Sequence, residues 1–301
     1  MGVSETGSFT LGAGASAVRE IARDEAAPPG TQFLWEHIEL GEGDDVRFDR
    51  RDDIPEIVLS ALTASETRPR CDQIGDGALI NLRGPALAEA PGDDRLVSIR
   101  AWARGNRVTS VSRRRLAATN TAAAAMQAGQ VTDPGDLVAA FARSISSELD
   151  PVIAGLGDAV DDCETEVEEG NIYPLRRRIA QSRSDAIAYR RFIAPNRDAL
   201  VTLAGLKLEW LSDEDRLHIR EAADRFARMV EELEAIRERA ALLHEQLTDL
   251  RAELIDQRSL LIAIVAFIFL PLTFITGLLG MNVEGIPFAR EAWAFWGVVV
   301  F

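Results

Sequence analysis

Cysteine is nearly absent from the chain: 301 residues carry two, Cys71 and Cys163, far apart and outside any CxxC or CxxH neighbourhood. That excludes a disulfide framework and a zinc finger, and it fits a reducing compartment. Lysine is scarcer still, with Lys207 alone, and no function is taken from the arginine bias. Bases are outnumbered, 33 against 48 acids, for a net charge of -15. No excess of cations exists to neutralise phosphates, so nucleic acid is excluded as a partner and cations are favoured. Catalytic signatures are missing too. There is no Walker loop, no HExxH, no GxSxG and no Gly-rich turn after a strand, so neither an enzyme nor an ATP-driven pump is read. The first residues, 1–27, are rich in Gly, Ser, Ala and Thr and lack a basic start followed by an apolar core. They are read as a flexible leader, not as a secretory signal.

What the sequence does have is one long uncharged run. From Ser259 to Val283 no residue is charged, and residues 259–280 read SLLIAIVAFIFLPLTFITGLLG. At about 1.5 Å per residue this reaches about 33 Å, enough for a hydrocarbon core of about 30 Å. The segment is read as a first membrane span, followed by an outer loop at 281–291. A second apolar run, AWAFWGVVVF at 292–301, is too short to cross a bilayer. Its Trp293 and Trp296 suit a membrane interface, so it reads as the start of a second span, truncated at Phe301, or else as a short interfacial segment. Arg239, Arg251 and Arg258 precede the first span and Arg290 alone follows it, which places the N-terminal part in the cytoplasm.

Upstream, residues 28–115 mix short apolar runs with turn residues. TQFLWEHIEL, GALINL and RLVSIRAWARGNRVTSVS carry the β-branched and aromatic content of strands, and Gly105-Asn106 between two runs predicts a hairpin turn. Ile54 to Leu62 has helical spacing, so the region is expected to be a small α/β domain.

Residues 116–258 are helical in texture, with breaks at Gly129 to Pro134, Gly170 to Pro174 and Gly205 to Ser212. Asp133 before Pro134, with Asp136 following, predicts a helix start, and so does Ser212 before Asp213, Glu214 and Asp215. In the last helix Phe226, Met229, Leu233, Ile236, Ala240, Leu243, Leu247, Leu250 and Leu254 recur at alternating spacings of three and four. This seam, packed within one subunit or between copies, leads without Gly or Pro toward the span. The fold class expected is an α+β cytoplasmic domain, then long α-helices forming a stalk, then an α-helical transmembrane region. One span cannot enclose a pore, so transport requires an oligomer.

The segment FLPLTFITGLLGMN, Phe269 to Asn282, resembles the pore helix of the CorA metal-ion transporter superfamily. The signature is Gly-Met-Asn at the outer end of the first of two spans, here Gly280, Met281 and Asn282, and Pro271 to Ile275 also matches. The order of acidic domain, long helices, stalk, span and short loop is similar across the whole chain. The loop NVEGIPF at 282–288 resembles the zinc-transporting ZntB branch, except that Glu284 stands where a glycine is expected.

The resemblance implies a homopentamer of the bacterial inner membrane that carries a divalent cation, zinc or alternatively magnesium, with no bound cofactor. A divalent ion sheds water reluctantly, so a ring of neutral oxygens around the hydrated ion selects it without trapping it. By resemblance Asn282 supplies that ring, with Gly280 allowing close backbone approach. Without the resemblance, Asn282 reads as a helix cap beside a glycine. Thr273 is implied as a second polar ring, the alternative being a hydroxyl bonded to the backbone near Pro271. Leu270 and Ile262 are implied as apolar constrictions of the pore. From Glu148 to Glu169 there are nine acids and no bases, read as a solvated face or as a cation-concentrating surface. Within it Cys163 and Glu166, at i, i+3, are a weak cytoplasmic metal candidate, two ligands making no zinc site. A membrane-anchored coiled-coil sensor would use the same stalk and span without conduction.

Overall fold

β-branched and aromatic residues concentrate ahead of Leu116, and there the chain builds one sheet. The structure is a computed structural model that describes residues 9–14, 18–20, 31–40, 54–64, 68–87, 96–168, 174–281, 288 and 291–300. The strands are β1 (Phe9–Gly14), β2 (Val18–Glu20), β3 (Thr31–Glu39), β4 (Arg70–Ile74), β5 (Gly77–Pro85), β6 (Leu96–Arg104) and β7 (Arg107–Ser112), with helix α1 (Glu56–Thr63) between β3 and β4. They form a seven-stranded sheet in the order β2-β1-β3-β7-β6-β5-β4. Only β3 and β7 pair in parallel; the other neighbours are antiparallel.

The expected hairpin forms where β6 turns into β7. Arg104 opposes Arg107, and Gly105 takes φ 57° at the first central position, the placement of glycine in a type II′ turn. The sheet also corrects the reading of residues 1–27 as a leader. β1 and β2 lie inside that stretch, and β1 pairs with β3 along its length. Leu11 and Ala13 are buried there. Alternation over so few residues, flanked by Gly and Ser, gives too little period-2 signal to stand out in a sequence.

Each face of the sheet has its own cover. On one, α1 drops Val58 and Leu62 onto Ile38, Leu79, Trp102 and Val111. On the other, Trp35 meets Phe141 edge-on with ring centroids 5.5 Å apart. Phe141 belongs to α3 (Pro134–Glu168), which follows α2 (Ala117–Gln127) and precedes α4 (Leu175–Gly205) and α5 (Asp213–Leu279). Gly84 of β5 permits this packing, because a Cβ there would sit 2.7 Å from Ile145 Cγ1.

The long helices start where the sequence marks them. Asp136 N–H donates to Asp133 Oδ1 at 2.9 Å, and Thr132 N–H donates back to Asp136 Oδ2 at 3.0 Å. At α5 the exchange is repeated: Asp215 N–H donates to the Ser212 hydroxyl at 3.1 Å and Ser212 N–H to Asp215 Oδ2 at 2.7 Å. These reciprocal bonds satisfy amides that the first helical turn leaves without partners.

The chain divides into two compact units, Met1–His244 and Glu245–Phe301, to both of which α5 contributes. In the first unit the heptad seam is settled as an intrachain core. Phe226, Met229, Leu233, Ile236, Ala240 and Leu243 are all buried in the single chain. α3 closes on them at Gly157, where an added Cβ would lie 3.9 Å from Ile236 Cδ1. The second unit holds the remainder of α5 and α6 (Ala292–Val300), whose nine residues are too few to span a bilayer.

Candidate functional site

The apolar part of α5, taken within its own unit, has no protein cover. Among the described residues α5 is the one helix long and apolar enough to cross a membrane, and none of that stretch is buried. Phe267, Leu270 and Ile262 are 81%, 75% and 69% exposed. Water would penalise such a surface by about 25 cal/mol per Å2, so the stretch calls for an apolar cover.

At about 100° per residue, Ile262, Leu270 and Thr273 share one face of this helix, within about 80° of arc, and Gly277 and Gly280 extend the same face. The outer third is chemically distinct. Pro271 has no N–H to donate, so the carbonyl of Phe267 loses its helical partner. Thr273 Oγ1 donates to the carbonyl oxygen of Phe269 at 2.7 Å, and Thr276 Oγ1 to that of Thr273 at 3.1 Å. The backbone alternative for Thr273 is thus realised, though the hydroxyl oxygen keeps lone pairs to offer an ion's hydration shell.

The helix then closes. Gly280 N–H donates to Thr276 O at 2.9 Å and Met281 N–H to Leu278 O at 3.4 Å, a tightened last turn. A Cβ on Gly280 would sit 3.1 Å from Thr276 O, so glycine suits this close approach. Met281 is exposed, while Asn282 and Glu284 lie outside the described residues. Beyond them, Phe288 takes φ 62° and meets Trp293 at a ring tilt of 50° with centroids 5.3 Å apart, and its carbonyl accepts the Glu291 amide ahead of α6.

The acidic stretch of α3 is partly neutralised from within the chain. Arg239 of α5 pairs with Asp161 and, at 2.7 Å, with Glu164, while Arg178 of α4 pairs with Glu166. Glu166 is therefore engaged, and Cys163 beside it is buried, which pushes its thiol proton affinity up. Among the described residues no third ligand joins Cys163 and Glu166, and the metal-capable cluster lies elsewhere.

That cluster, Asp133, Asp136 and Asp215, was not read as a unit. One carboxylate oxygen of each lies within 4.8 Å of the others, where the first turns of α3 and α5 meet. Asp133 accepts from the Asp136 amide inside α3, Asp136 and Asp215 accept from the amides of Thr132 and Ser212 just ahead of their helices, and burial, with Asp215 and Asp136 nearby, raises the proton affinity of Asp133. Both capping signals are visible in the sequence, but nothing in it says that they touch. His37 is a core residue. It is buried in the sheet between Ser110 Oγ, 2.8 Å from Nδ1, and Ser112 Oγ, 3.3 Å from Nε2, and burial lowers its pKa to about 4. Trp35 Nε1 donates to the same Ser110 oxygen at 2.8 Å, and that hydroxyl also lies 3.5 Å from the Glu36 carbonyl oxygen, so the ring sits in a closed set of neutral polar groups.

Known proteins fit this architecture. The chain is 34% identical over 235 residues to the zinc transport protein ZntB of Pectobacterium carotovorum subsp. carotovorum (strain PC1), covering 78% of this chain and 72% of that one. Its fold is similar to the full-length CmaX protein, with a TM-score of 0.75 at 30% identity over 98% of this chain and 94% of the other. The CorA magnesium transporter from Methanocaldococcus jannaschii shares the fold, with a TM-score of 0.77 at 17% identity, covering 97% of this chain and 92% of that one. The CorA-like Mg2+ transporter protein family matches residues 30–301, which take in strands β3 to β7, the helices and the apolar stretch, and the chain belongs to that family.

Proposed function

We propose that this chain is a divalent-cation transporter that works as a ring of five copies, with zinc preferred over magnesium. The observation that carries the reading is the apolar part of α5. It is uncharged from Ser259 onward, uncovered in the single chain, and leads into Gly280 and Met281 of a Gly-Met-Asn triplet. The family match makes a transport role the economical explanation of that arrangement.

In this reading the face bearing Ile262, Leu270, Thr273 and Gly280 lines the pore. Neutral oxygens suit the task, because a full negative ring would hold a divalent ion too tightly to release it. Asn282 side-chain carbonyls form the outer ring around the hydrated ion, and Thr273 oxygens form a second. Leu270 and Ile262 are apolar constrictions that close by dewetting. Flux runs down the electrochemical gradient, since no nucleotide-binding loop is present in the sequence. The protein sits in a bacterial inner membrane with its N-terminal part in the cytoplasm, supported by Arg239, Arg251 and Arg258 ahead of the span.

Zinc is favoured by the name of the relative at 34% identity and by the Asn-Val and Gly-Ile-Pro residues of the loop. Glu284 favours the magnesium reading, because it stands where the zinc-branch pattern has glycine and restores acidity to the loop. Flux of each ion into proteoliposomes holding the full chain separates the two. Zinc uptake with little magnesium uptake is expected, and magnesium uptake alone would reverse the preference.

A further inference from the structure

The charge of this chain is segregated between two neighbouring helices. From Glu148 to Glu168, α3 has eight acids and no base, whereas α4 has seven arginines and two acids. Only part of this is used within the chain. Arg178 takes Glu166, Arg190 takes Glu234 and Arg197 takes Asp198. Arg176, Arg183 and Arg191 stay exposed and pair with no carboxylate among the described residues, and Ile187 between them is 50% exposed. At about 100° per residue these four positions fall within about 80° of arc, so they form one face. On α3, Asp158 and Asp162 are exposed one turn apart and hold no ion pair among the described residues.

The relative heights of the two faces follow from contacts. Near one end Arg178 meets Glu166; near the other, β5 touches Asn196 through Arg83 and Ile145 through Gly84. α3 and α4 are therefore antiparallel. Counting from the Arg178 pair, Arg183 is level with Asp161, within a turn of Asp158 and Asp162. In a closed ring about an axis along these helices, rotation brings a neighbour's face alongside without shifting its height. We propose that the face of α4 carrying Arg176, Arg183 and Arg191 docks on the acidic face of α3, at Asp158 and Asp162, of a second copy of this chain. The docking rests on the oligomeric reading above and names the surface that would hold it together outside the span.

The test is the mass of the full-length protein in detergent micelles, followed over dilution by mass photometry. R183E/R191E and D158R/D162R are each expected to raise the concentration of half-dissociation by about tenfold or more, and combining all four reversals to restore it to within about threefold. Raising sodium chloride from about 0.1 to about 0.5 M should weaken the wild-type assembly in the same direction. Circular dichroism checks that each variant keeps its helix content, and the milder R183Q/R191Q stands in if the reversal misfolds.

Unchanged dissociation in both reversals would overturn the docking and leave the faces solvated. Loss without recovery in the combined variant would overturn the pairing as well. If the arginine reversal leaves assembly intact but abolishes binding to phosphatidylglycerol vesicles, the α4 face belongs to lipid. A wild-type chain that is monomeric at every concentration would instead overturn the oligomeric reading itself, a result distinct from an assembly indifferent to these charges.

Discussion

Thr273 gives its side-chain hydroxyl to the carbonyl oxygen of Phe269, 2.7 Å away and one turn earlier in α5. The carbonyl that Pro271 deprives of a donor belongs to Phe267, so Thr273 is not a repair for the proline. Its proton is committed to the helix and its oxygen keeps lone pairs to accept with, the polarity that a hydrated cation would require in the proposed pore. Thr273→Ser should keep zinc flux near the wild-type rate, while Thr273→Val should lower it severalfold with the assembly mass unchanged. Equal flux in the two variants would remove Thr273 from the pathway.

Asn196 of α4 is fully buried and replaces a missing strand partner. Its Oδ1 accepts from Arg83 N–H at 2.9 Å and its Nδ2 donates to Arg83 O at 2.8 Å, beyond the point where β4 stops pairing with β5. Asn196→Leu would strand both backbone groups, and a loss of about 2–4 kcal/mol is expected. Asn196→Asp, which keeps the acceptor but sets a second oxygen against the Arg83 carbonyl at a buried site, should also destabilise. Thermal unfolding of the three proteins checks both losses.

Arg216 holds the turn between α4 and α5. Its guanidinium donates to the carbonyls of Ala204 at 3.2 Å and Leu211 at 3.1 Å, and to that of Leu206, while its side chain is 16% exposed. A flexible ammonium cannot cover that fan of acceptors. Arg216→Lys should therefore recover little of what Arg216→Ala loses, about 2–3 kcal/mol. Limited proteolysis at residues 206–212 would report the difference directly, and full protection in the lysine variant would contradict the account.

His37 makes folding depend on pH in a stated direction. Burial holds the folded ring neutral, with a pKa down to about 4 against 6.5 for the free side chain. Between those values the unfolded chain binds a proton that the folded chain refuses, so stability falls as pH drops from 6.5 toward 4, by up to about 3 kcal/mol. An NMR titration of the His37 ring in the folded protein should show no protonation above pH about 5. A midpoint near 6.5 would mean that the Ser110–His37–Ser112 chain is open to water.

Much of this molecule is legible from one sequence because its long elements announce themselves. The heptad spacing from Phe226 to Leu243 is the buried seam, and the marks at Asp133 and Ser212 are the caps of α3 and α5. The short elements are not legible: β1 and β2 lie where a leader was expected, since three to six residues carry too little periodicity. Sheet order was closed to inspection, because the parallel pairing of β3 with β7 joins residues more than 70 positions apart. The acidic run shows the same limit in another form. Its carboxylates read as solvated or cation-gathering, and what decides for Asp161, Glu164 and Glu166 is Arg239 and Arg178, brought in by helix packing. On the transport side, helical period alone puts Ile262, Leu270 and Thr273 on one face, whereas the pore roles given to them, and the roles given to Asn282 and Glu284, rest on resemblance.

The central claim is that a divalent cation passes a ring built from Asn282. The most direct test is zinc uptake into proteoliposomes by the full-length wild-type protein and by Asn282→Leu, with the assembly mass of both verified beforehand. The account predicts uptake in the wild type and its loss in an equally assembled variant. Undiminished uptake by Asn282→Leu would contradict the filter, and no uptake of zinc or magnesium by a verified wild-type assembly would contradict transport itself.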